Sequence, residues 1–274
     1  AVITIAPALY LVATSLTPLN LTNPLQTGLD FSDPLRNYRD ALADHRFRNS
    51  VWVQVQLSIA TVVAQVLIGL GLALLLNARS KLLEAIRTAF LIPMVLPPIV
   101  VALIWKVIYS PDVSPMHRLL EFVGFPVRSL ITQADTALWA IAVADTWEWF
   151  PFTMLIILAS LQMVPDEPLE AAKIDGANSF QSFWYVVLPY IQPAIIVAAL
   201  FRLIDSVKAF PLIYVLTNGG PGQVTEVTNY YAFVQAFNFS YWGYASAIAT
   251  MLVAGVFLLS WLLRRLDRAG QRDE

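Results

Sequence analysis

The sequence has no cysteine and few charged residues. Among its 274 residues there is no cysteine and there are only two histidines, which excludes a disulfide framework and a thiolate metal site. Charged residues make up 13% of the chain, and the formal net charge is −2. Because nucleic-acid binding needs a dense basic surface, this composition argues against nucleic acid as a partner.

Nucleotide-binding motifs are missing as well. No G-x-x-x-x-G-K-[ST] run occurs, so the chain cannot cradle ATP phosphates in a P-loop. The glycine cluster Asn218–Gly222 is followed by no Lys-Ser/Thr pair, and it predicts a tight turn instead. No nucleophile–base or metal-ligand constellation is evident, so we expect a chain that is not an enzyme and that binds no cofactor itself.

What the sequence does have is apolar residues. They make up 58% of the chain, and the mean hydropathy is +0.64, too apolar for a soluble domain and typical of an all-α membrane protein. We predict a single transmembrane domain over residues 1–274, with six membrane-spanning helices at residues 1–16, 51–76, 88–109, 137–161, 191–216 and 244–263. The first segment carries no Met or basic flank, so we expect a helix that begins before residue 1, with a signal peptide as the alternative.

Prolines and polar residues modify these segments. Pro93 and the Pro97-Pro98 pair predict kinks in the third segment, because proline removes a helical hydrogen bond. Gln54, Gln56 and Gln65 lie within the second segment and must face protein or water rather than lipid. Lysine and arginine are almost evenly divided between the two sides, so the positive-inside signal is weak, although the tail with Arg264, Arg265 and Arg268 suits a cytoplasmic headgroup layer.

The stretch 165–190 interrupts the apolar segments with polar residues. Asp166 is predicted to cap a helix, which Gly176 ends in a left-handed conformation. Ser179 then starts a second short helix that Pro189 is predicted to close. This elbow places small residues on one helical face, where a partner surface can approach the backbone closely; the face contains Leu169, Ala172 and Gly176.

The elbow resembles the EAA loop of ATP-binding-cassette importer permeases. The matching residues are Glu170, Ala171, Ala172, Gly176, Leu188 and Pro189. Further residues are similar to the carbohydrate-uptake branch, of the maltose-importer type, namely Asp175, Ala177 and Phe183. The resemblance covers nearly the whole chain, including Phe31–Tyr38, Pro93–Pro111, Ile213–Thr217 and Gly219-Gly220-Pro221. One departure is Pro211, where many members of this branch carry aspartate.

This resemblance implies a permease subunit of a bacterial sugar importer in the cytoplasmic (inner) membrane. The implied fold has six transmembrane helices and a cytoplasmic EAA coupling helix. The implied partners are a second homologous permease, two ATPase subunits that use ATP and Mg, an extracytoplasmic sugar-binding protein and membrane lipid. The residues implied to couple to the ATPase are Glu170, Ala171, Ala172, Asp175 and Gly176.

Two polar stripes mark a candidate substrate site. Asp145, Glu148, Trp149 and Phe152 share one face of the fourth segment, and a second stripe in the fifth contains Arg202, Asp205, Ser206 and Ala209. Sugars offer hydroxyls to charged groups and a C–H face to aromatic rings. The resemblance implies substrate contacts at Glu148, Trp149, Phe152, Arg202, Asp205, Ser206 and Ala209. The alternative is that Asp205 pairs with Arg202 or Lys208 and only holds the bundle together.

Two other functions remain open from the sequence. The chain could serve an importer for a non-sugar solute such as a polyamine, which ligand screening of the binding protein would reveal. It could also be an ion-coupled secondary transporter, whose acidic residues near the membrane midplane bind the driving ion. Transport would then depend on an ion gradient and would not depend on ATP.

Overall fold

The computed structural model describes residues 2–23, 29–78, 80–124 and 129–270, although the side chains of residues 2–4, 115–117, 120 and 262–270 lie outside the description. The arginine tail after Trp261 therefore lies outside the described side chains. The described part of the chain is helical and contains no strand. In chain order the helices are α1 (Val2–Ser15), α2 (Arg36–Ala43), α3 (His45–Leu75), α4 (Lys81–Phe90), α5 (Ile92–Val95), α6 (Pro98–Ile108), α7 (Pro115–Phe122), α8 (Ala137–Leu161), α9 (Asp166–Ile174), α10 (Ser179–Ser206), α11 (Phe210–Leu216), α12 (Thr228–Phe233) and α13 (Trp242–Gly270).

Four described helices are long and apolar enough to cross a membrane. They are α3, α8, α10 and the part of α13 up to Trp261. Two shorter apolar helices, Ile5–Ser15 within α1 and α6, correspond to the first and third predicted segments. An apolar chain in lipid must satisfy its backbone groups internally, which accounts for the helical architecture.

The second predicted segment starts earlier in the structure than expected, at His45 instead of residue 51. Asp44 supplies the reason, because its carboxylate accepts a hydrogen bond from the backbone N–H of Arg46 at 2.8 Å and so caps the helix. The fourth segment and α8 have the same bounds, residues 137–161.

The third predicted segment is interrupted at the Pro97-Pro98 pair. Leu96 adopts an extended backbone (φ −70°, ψ 141°) just before the Pro97-Pro98 pair, and α6 starts anew at Pro98. Proline disfavours helical backbone in the residue before it and has no N–H to continue the ladder, so the helix ends here.

The fifth predicted segment, 191–216, includes parts of two helices. α10 runs continuously from Ser179 to Ser206, and α11 follows after a turn. Pro189 does not close a helix, because a π-helical turn at Phe183–Val187 lies one residue before it. This wider turn accommodates the proline ring, which would otherwise clash with a preceding carbonyl.

The core lies where α3, α8 and α10 pack together. A buried cluster containing Met154, Ile157 and Ile191 joins these helices toward the elbow, and a larger cluster containing Leu57 and Ile141 continues toward the opposite end. α1, α2 and α13 pack on one another beside this core. The elbow therefore lies at one end of a three-helix core.

The elbow is a short helix followed by a left-handed turn. Gly176 has φ +82°, and the backbone N–H groups of Gly176 and Ala177 donate to the carbonyls of Lys173 and Ala172 at 3.1 and 2.9 Å, the bonding pattern of a Schellman motif. The predicted cap at Asp166 is wrong. Pro165 occupies the cap position, makes no side-chain cap bond and places Asp166 inside the first turn.

The second elbow helix is capped by Asn178. Its side chain accepts from the backbone of Gln181, whose own side chain accepts from the backbone N–H of Asn178, both at 2.9 Å. This reciprocal pair is a capping box. Ser179 is the first helical residue, as expected from the sequence.

Candidate functional site

Arg202 is the centre of a buried polar cluster at the end of α10. Its side chain is 2% exposed. Nε donates to Gln65 Oε1 at 2.8 Å, and Nη1 donates to Asp205 Oδ2 at 2.7 Å. Nη2 lies 3.5 Å from Asp145 Oδ2, and the guanidinium carbon lies 4.5 Å from the centre of the Trp149 ring. One arginine thus joins α10 to α3 and α8.

Gln65 completes the cluster from α3. Its amide nitrogen donates to Asp145 Oδ2 at 2.8 Å, and its backbone carbonyl accepts from the Thr153 hydroxyl at 2.6 Å. Asp145 and Gln65 are both buried. Buried polar groups are costly unless they are hydrogen-bonded, so this mutual pairing explains how the helices tolerate them.

A second polar contact joins α3 to α10 one turn further along. The hydroxyl oxygens of Ser206 and Ser58 are 2.7 Å apart, and Gln54 donates to Ser58 Oγ at 3.1 Å. Ser206 therefore faces α3, and the cavity walls described next do not include it.

Two cavities flank the Arg202 cluster on the side of α8 and α10. The first has a volume of about 170 Å³ and is lined by Pro98, Asp145, Glu148, Trp149, Asp205, Lys208, Ala209, Pro211 and Leu212. The second has a volume of about 400 Å³ and is lined by Trp149, Phe152, Phe201, Arg202, Ile204, Asp205 and Lys208. Trp149, Asp205 and Lys208 belong to both walls, so the two cavities are neighbours.

Glu148 differs from the other acidic residues of the cluster. It is 1% exposed, and its Oε1 atom has no hydrogen-bond partner among the described residues. Asp205, in contrast, contacts Arg202 and Lys208, at 2.7 and 3.1 Å. The pairing that the sequence left as an alternative for Asp205 is therefore present.

The structure brings both predicted stripes together. Glu148, Trp149 and Phe152 on α8 face Arg202 and Asp205 on α10, and Ala209 follows in the turn after α10. Sequence reasoning missed the role of Gln65, which it placed only against protein or water, and gave Lys208 no site role. A buried glutamine in an apolar helix was the available signal, but its partner on another helix lies 137 residues away.

The elbow residues lie far from this cluster. α8 ends at Leu161, and Asp145 lies about 24 Å from that end along the helix axis at 1.5 Å per residue. Glu170, Ala171, Asp175 and Gly176 are exposed and Ala172 is half-buried. Several large apolar side chains are exposed nearby, among them Ile174, Phe180 and Trp184. The arrangement separates a polar cavity in the bundle from an exposed contact surface at one end.

Comparison with known proteins gives relatives along most of the chain. The chain is 36% identical over 229 residues to the trehalose/maltose transport system permease protein MalF of Thermococcus litoralis, covering 84% of this chain and 77% of that protein. It is 31% identical over 234 residues to the multiple sugar-binding transport system permease protein MsmF of Streptococcus mutans, covering 85% and 80%.

Solved structures share the fold. A bacterial ABC transporter involved in the import of the acidic polysaccharide alginate matches with a TM-score of 0.79 and 19% identity, covering 96% of this chain and 91% of that one. The methionine ABC transporter MetNI, in an inward-facing conformation, matches with a TM-score of 0.60 and 19% identity, covering 80% and 94%.

A family model described as "Binding-protein-dependent transport system inner membrane component" matches residues 65–270, which include α8, the elbow and α10. That range covers well over half of the chain. The chain therefore belongs to the family of inner membrane components of binding-protein-dependent transport systems.

Proposed function

We propose that this chain is a permease subunit of an ATP-driven sugar importer and forms half of its translocation pathway. The observation that carries the proposal is the polar and aromatic wall built by α8 and α10 inside an apolar bundle. Glu148 offers an unpaired carboxylate oxygen beside the indole of Trp149. Such a pair binds a hydroxyl donor and a C–H face, and a sugar has both.

Similarity to named permeases supports sugars as the substrate class. The names of relatives include trehalose, maltose and multiple sugars. The described site supports contacts at Glu148, Trp149, Phe152, Asp205 and Ala209. It gives Arg202 and Ser206 bonds within the bundle, so we propose that these two position the wall.

The elbow serves as the coupling helix in this proposal. Glu170, Ala171, Ala172, Asp175 and Gly176 contact an ATPase subunit, whose closure on ATP and Mg moves α8 and α10 through the elbow. Exposed apolar side chains on the same surface, including Phe180 and Trp184 stacked at 6.2 Å, support a protein partner there. This chain binds no cofactor itself.

Six membrane crossings fit this role. The four long apolar helices supply four of them, α1 supplies the first, and α4, α5 and α6 together supply the broken third. The elbow then faces the cytoplasm, and α2 and α12 face a binding protein that delivers the sugar. A second, homologous permease closes the pathway.

Purification from native membranes tests the assembly. We expect the affinity-tagged chain to bring down a homologous permease, an ATPase with a P-loop and an extracytoplasmic binding protein, identified by mass spectrometry. A stable homodimer that transports without any ATPase would contradict the proposal.

Uptake in vesicles tests the energy source. Reconstituted complex should accumulate labelled maltose or trehalose only with ATP inside and binding protein outside. Uptake that follows a sodium or proton gradient without ATP would favour an ion-coupled transporter. Uptake of spermidine in place of any sugar would favour a polyamine importer.

A further inference from the structure

The cations in the cluster are already engaged by the chain itself. The Arg202 side chain is 2% exposed, and its three guanidinium nitrogens lie within hydrogen-bond reach of Gln65, Asp205 and Asp145. Trp149 covers one face of the guanidinium at 4.5 Å. An anionic ligand could reach this group only by displacing a carboxylate that the protein provides.

Lys208 is the other cation of the cavity wall. Its ammonium lies 3.1 Å from Asp205 Oδ1, and its side chain is 74% exposed. Asp205 therefore uses one oxygen for Lys208 and the other for Arg202. Both cations of the site are therefore paired before any ligand arrives, Lys208 with Asp205 and Arg202 with Asp205 and Asp145.

Carboxyl oxygens remain available at the wall. Asp145, Glu148 and Asp205 line the smaller cavity together with Lys208. Glu148 is the group without a protein partner, since its Oε1 atom accepts no hydrogen bond among the described residues. A buried acceptor of this kind is satisfied by a ligand hydroxyl, whereas a carboxylate, sulfonate or phosphate has no proton to donate and leaves it unsatisfied.

We propose that the cavity between α8 and α10 accepts an uncharged polyhydroxy substrate, a neutral glycoside or oligosaccharide, and rejects anionic sugars. Glu148 accepts hydroxyl hydrogen bonds from this substrate, and Arg202 is a positioning residue that fixes Trp149 and Asp205 without binding substrate. This inference rests on the proposed function and narrows it. Similarity to known proteins does not decide the charge of the substrate, because the structural neighbours include an importer of an acidic polysaccharide.

The experiment uses the intact complex with its binding protein in vesicles. ATP-driven uptake is measured for maltose and trehalose and for their uronic acid counterparts, and each uptake rate is divided by the occupancy of the binding protein with that probe. We expect the neutral probe to be favoured by about tenfold or more. Faster uptake of the acids would overturn the inference while leaving a sugar importer intact. Uptake of spermidine and of no sugar would overturn the proposed function as well.

Two variants assign the selectivity to this wall. Glu148→Gln replaces the carboxyl group with an amide, whose NH₂ can donate a hydrogen bond to an anion, and should narrow the ratio of neutral to anionic uptake by about threefold or more. Glu121→Gln, at an exposed carboxylate on α7, should leave the ratio unchanged. Because the binding protein is the same in each sample, any change belongs to the permease. An unchanged ratio in Glu148→Gln would contradict the assignment.

Arg202→Lys separates positioning from binding. The shorter cation loses the forked contact to two carboxylates, so we expect a lower melting temperature of the complex and an unchanged ratio of neutral to anionic uptake. If the ratio shifts in this variant, Arg202 contacts substrate and its assignment as a positioning residue is wrong. The ratio of neutral to anionic uptake can be measured on the wild-type complex alone. The inference therefore remains testable if either substitution prevents assembly.

Discussion

At the scale of single residues, Trp149 combines two contacts in one side chain. The Arg202 guanidinium carbon lies 4.5 Å from the centre of its ring, and the side chain lines both cavities. A guanidinium over an indole contributes about 0.5–2 kcal/mol depending on burial. We expect a sugar ring to contact the part of the indole that lines the cavities. Trp149 therefore links the internal polar cluster to the wall that faces the substrate.

Replacing this ring should weaken uptake without dismantling the complex. In Trp149→Ala we expect sugar uptake to fall by about two- to tenfold, because aromatic contacts contribute about 0.5–1.5 kcal/mol beyond area burial. Initial uptake rates and gel filtration of the complex measure the two effects separately. Trp139→Ala is the matched control, since Trp139 lies on the same helix and is 54% exposed. Loss of assembly in Trp149→Ala alone would show that the ring only packs.

Asp44 stabilises the end of the molecule opposite the elbow. Its carboxylate accepts hydrogen bonds from the hydroxyls of Tyr231 and Tyr244 and from the backbone N–H of Arg46. Burial raises the pKa of Asp44, but these hydrogen bonds outweigh burial and hold the pKa below its usual range. A depressed pKa means that the stabilisation is complete above the unfolded pKa and is lost as the pH falls through the folded value.

Asp44→Asn should therefore lower the melting temperature at neutral pH, where the carboxylate contributes about 1 kcal/mol. The difference from wild type should begin to shrink as the pH falls through about 4, where the carboxyl of the unfolded chain takes up a proton, and should vanish below the lower pKa of the folded protein. Thermal unfolding of the complex in detergent from pH 7 downward measures this. Asp40→Asn, at an exposed carboxylate 3.6 Å from Arg36, is the control. Equal effects of both substitutions at every pH would contradict the role of Asp44.

Local spacing predicted the two stripes but not their partners. Positions three and four residues apart share a helix face, so the alignment of Asp145, Glu148 and Trp149 follows from the sequence alone. The bond from Arg202 to Gln65 depends on how α3 packs against α10, which no local period encodes. For the same reason the sequence could not predict that Arg202 is buried or that Ser206 faces α3.

At the scale of elements, helix ends were predicted least well. The left-handed turn at Gly176 follows from glycine chemistry, and the bounds of α8 follow from its apolar length. The predicted stop at Pro189 was wrong because a π turn admits the proline. Whether a proline ends, breaks or merely follows an irregular turn depends on tertiary packing, as the contrasting break at Pro97-Pro98 shows.

The contact between α3 and α8 gives an element-scale prediction. A Cβ atom at Gly69 would lie 2.2 Å from Thr153 Oγ1 and 2.8 Å from the backbone nitrogen of Met154. Gly69→Ala should therefore force the helices apart and destabilise the complex by about 1–3 kcal/mol, as overpacking does. The loss should appear as a lower melting temperature and as weaker retention of the partner permease.

Gly71 is the matched control on the same helix. No atom lies within 4 Å of the position of its Cβ, and alanine has a higher helix propensity than glycine by about 1 kcal/mol. Gly71→Ala should be neutral or slightly stabilising. If Gly69→Ala behaves in the same way, the close approach of α3 and α8 is not needed for stability.

At the scale of the whole molecule, α8 and α10 connect the polar cavity to the elbow. α10 runs unbroken from the elbow to Arg202, so movement at its first turn reaches the cluster through a continuous helix. α8 leads back from the cluster to the elbow. A conformational change that favours one state needs differential contacts in that state, and an ATPase held at the elbow would supply them.

Gly176→Val tests this coupling. Valine is strained at φ +82°, while among the described residues no atom beyond the two chain neighbours lies within 4 Å of its Cβ position. The substitution therefore disturbs the turn, at a cost of about 1–3 kcal/mol, and adds a side chain on the surface where the ATPase is proposed to bind. We expect ATP-driven uptake to fall to background and the ATPase to be lost in pull-down, while the partner permease still co-purifies. Glu170→Ala should act in the same direction but more mildly, because a carboxylate near a helix N-terminus contributes about 0.3–1 kcal/mol.

Gly124 provides the control for backbone strain. It has φ +86° and equally open space around its Cβ position, but it follows α7, far along the chain from the elbow. Gly124→Val carries the same conformational cost, so the same loss of uptake in both variants would assign the effect to strain alone. Retained uptake in Gly124→Val with none in Gly176→Val would place the contact at the elbow. Normal uptake in Gly176→Val would mean that the elbow is an ordinary loop and that the ATPase engages another surface.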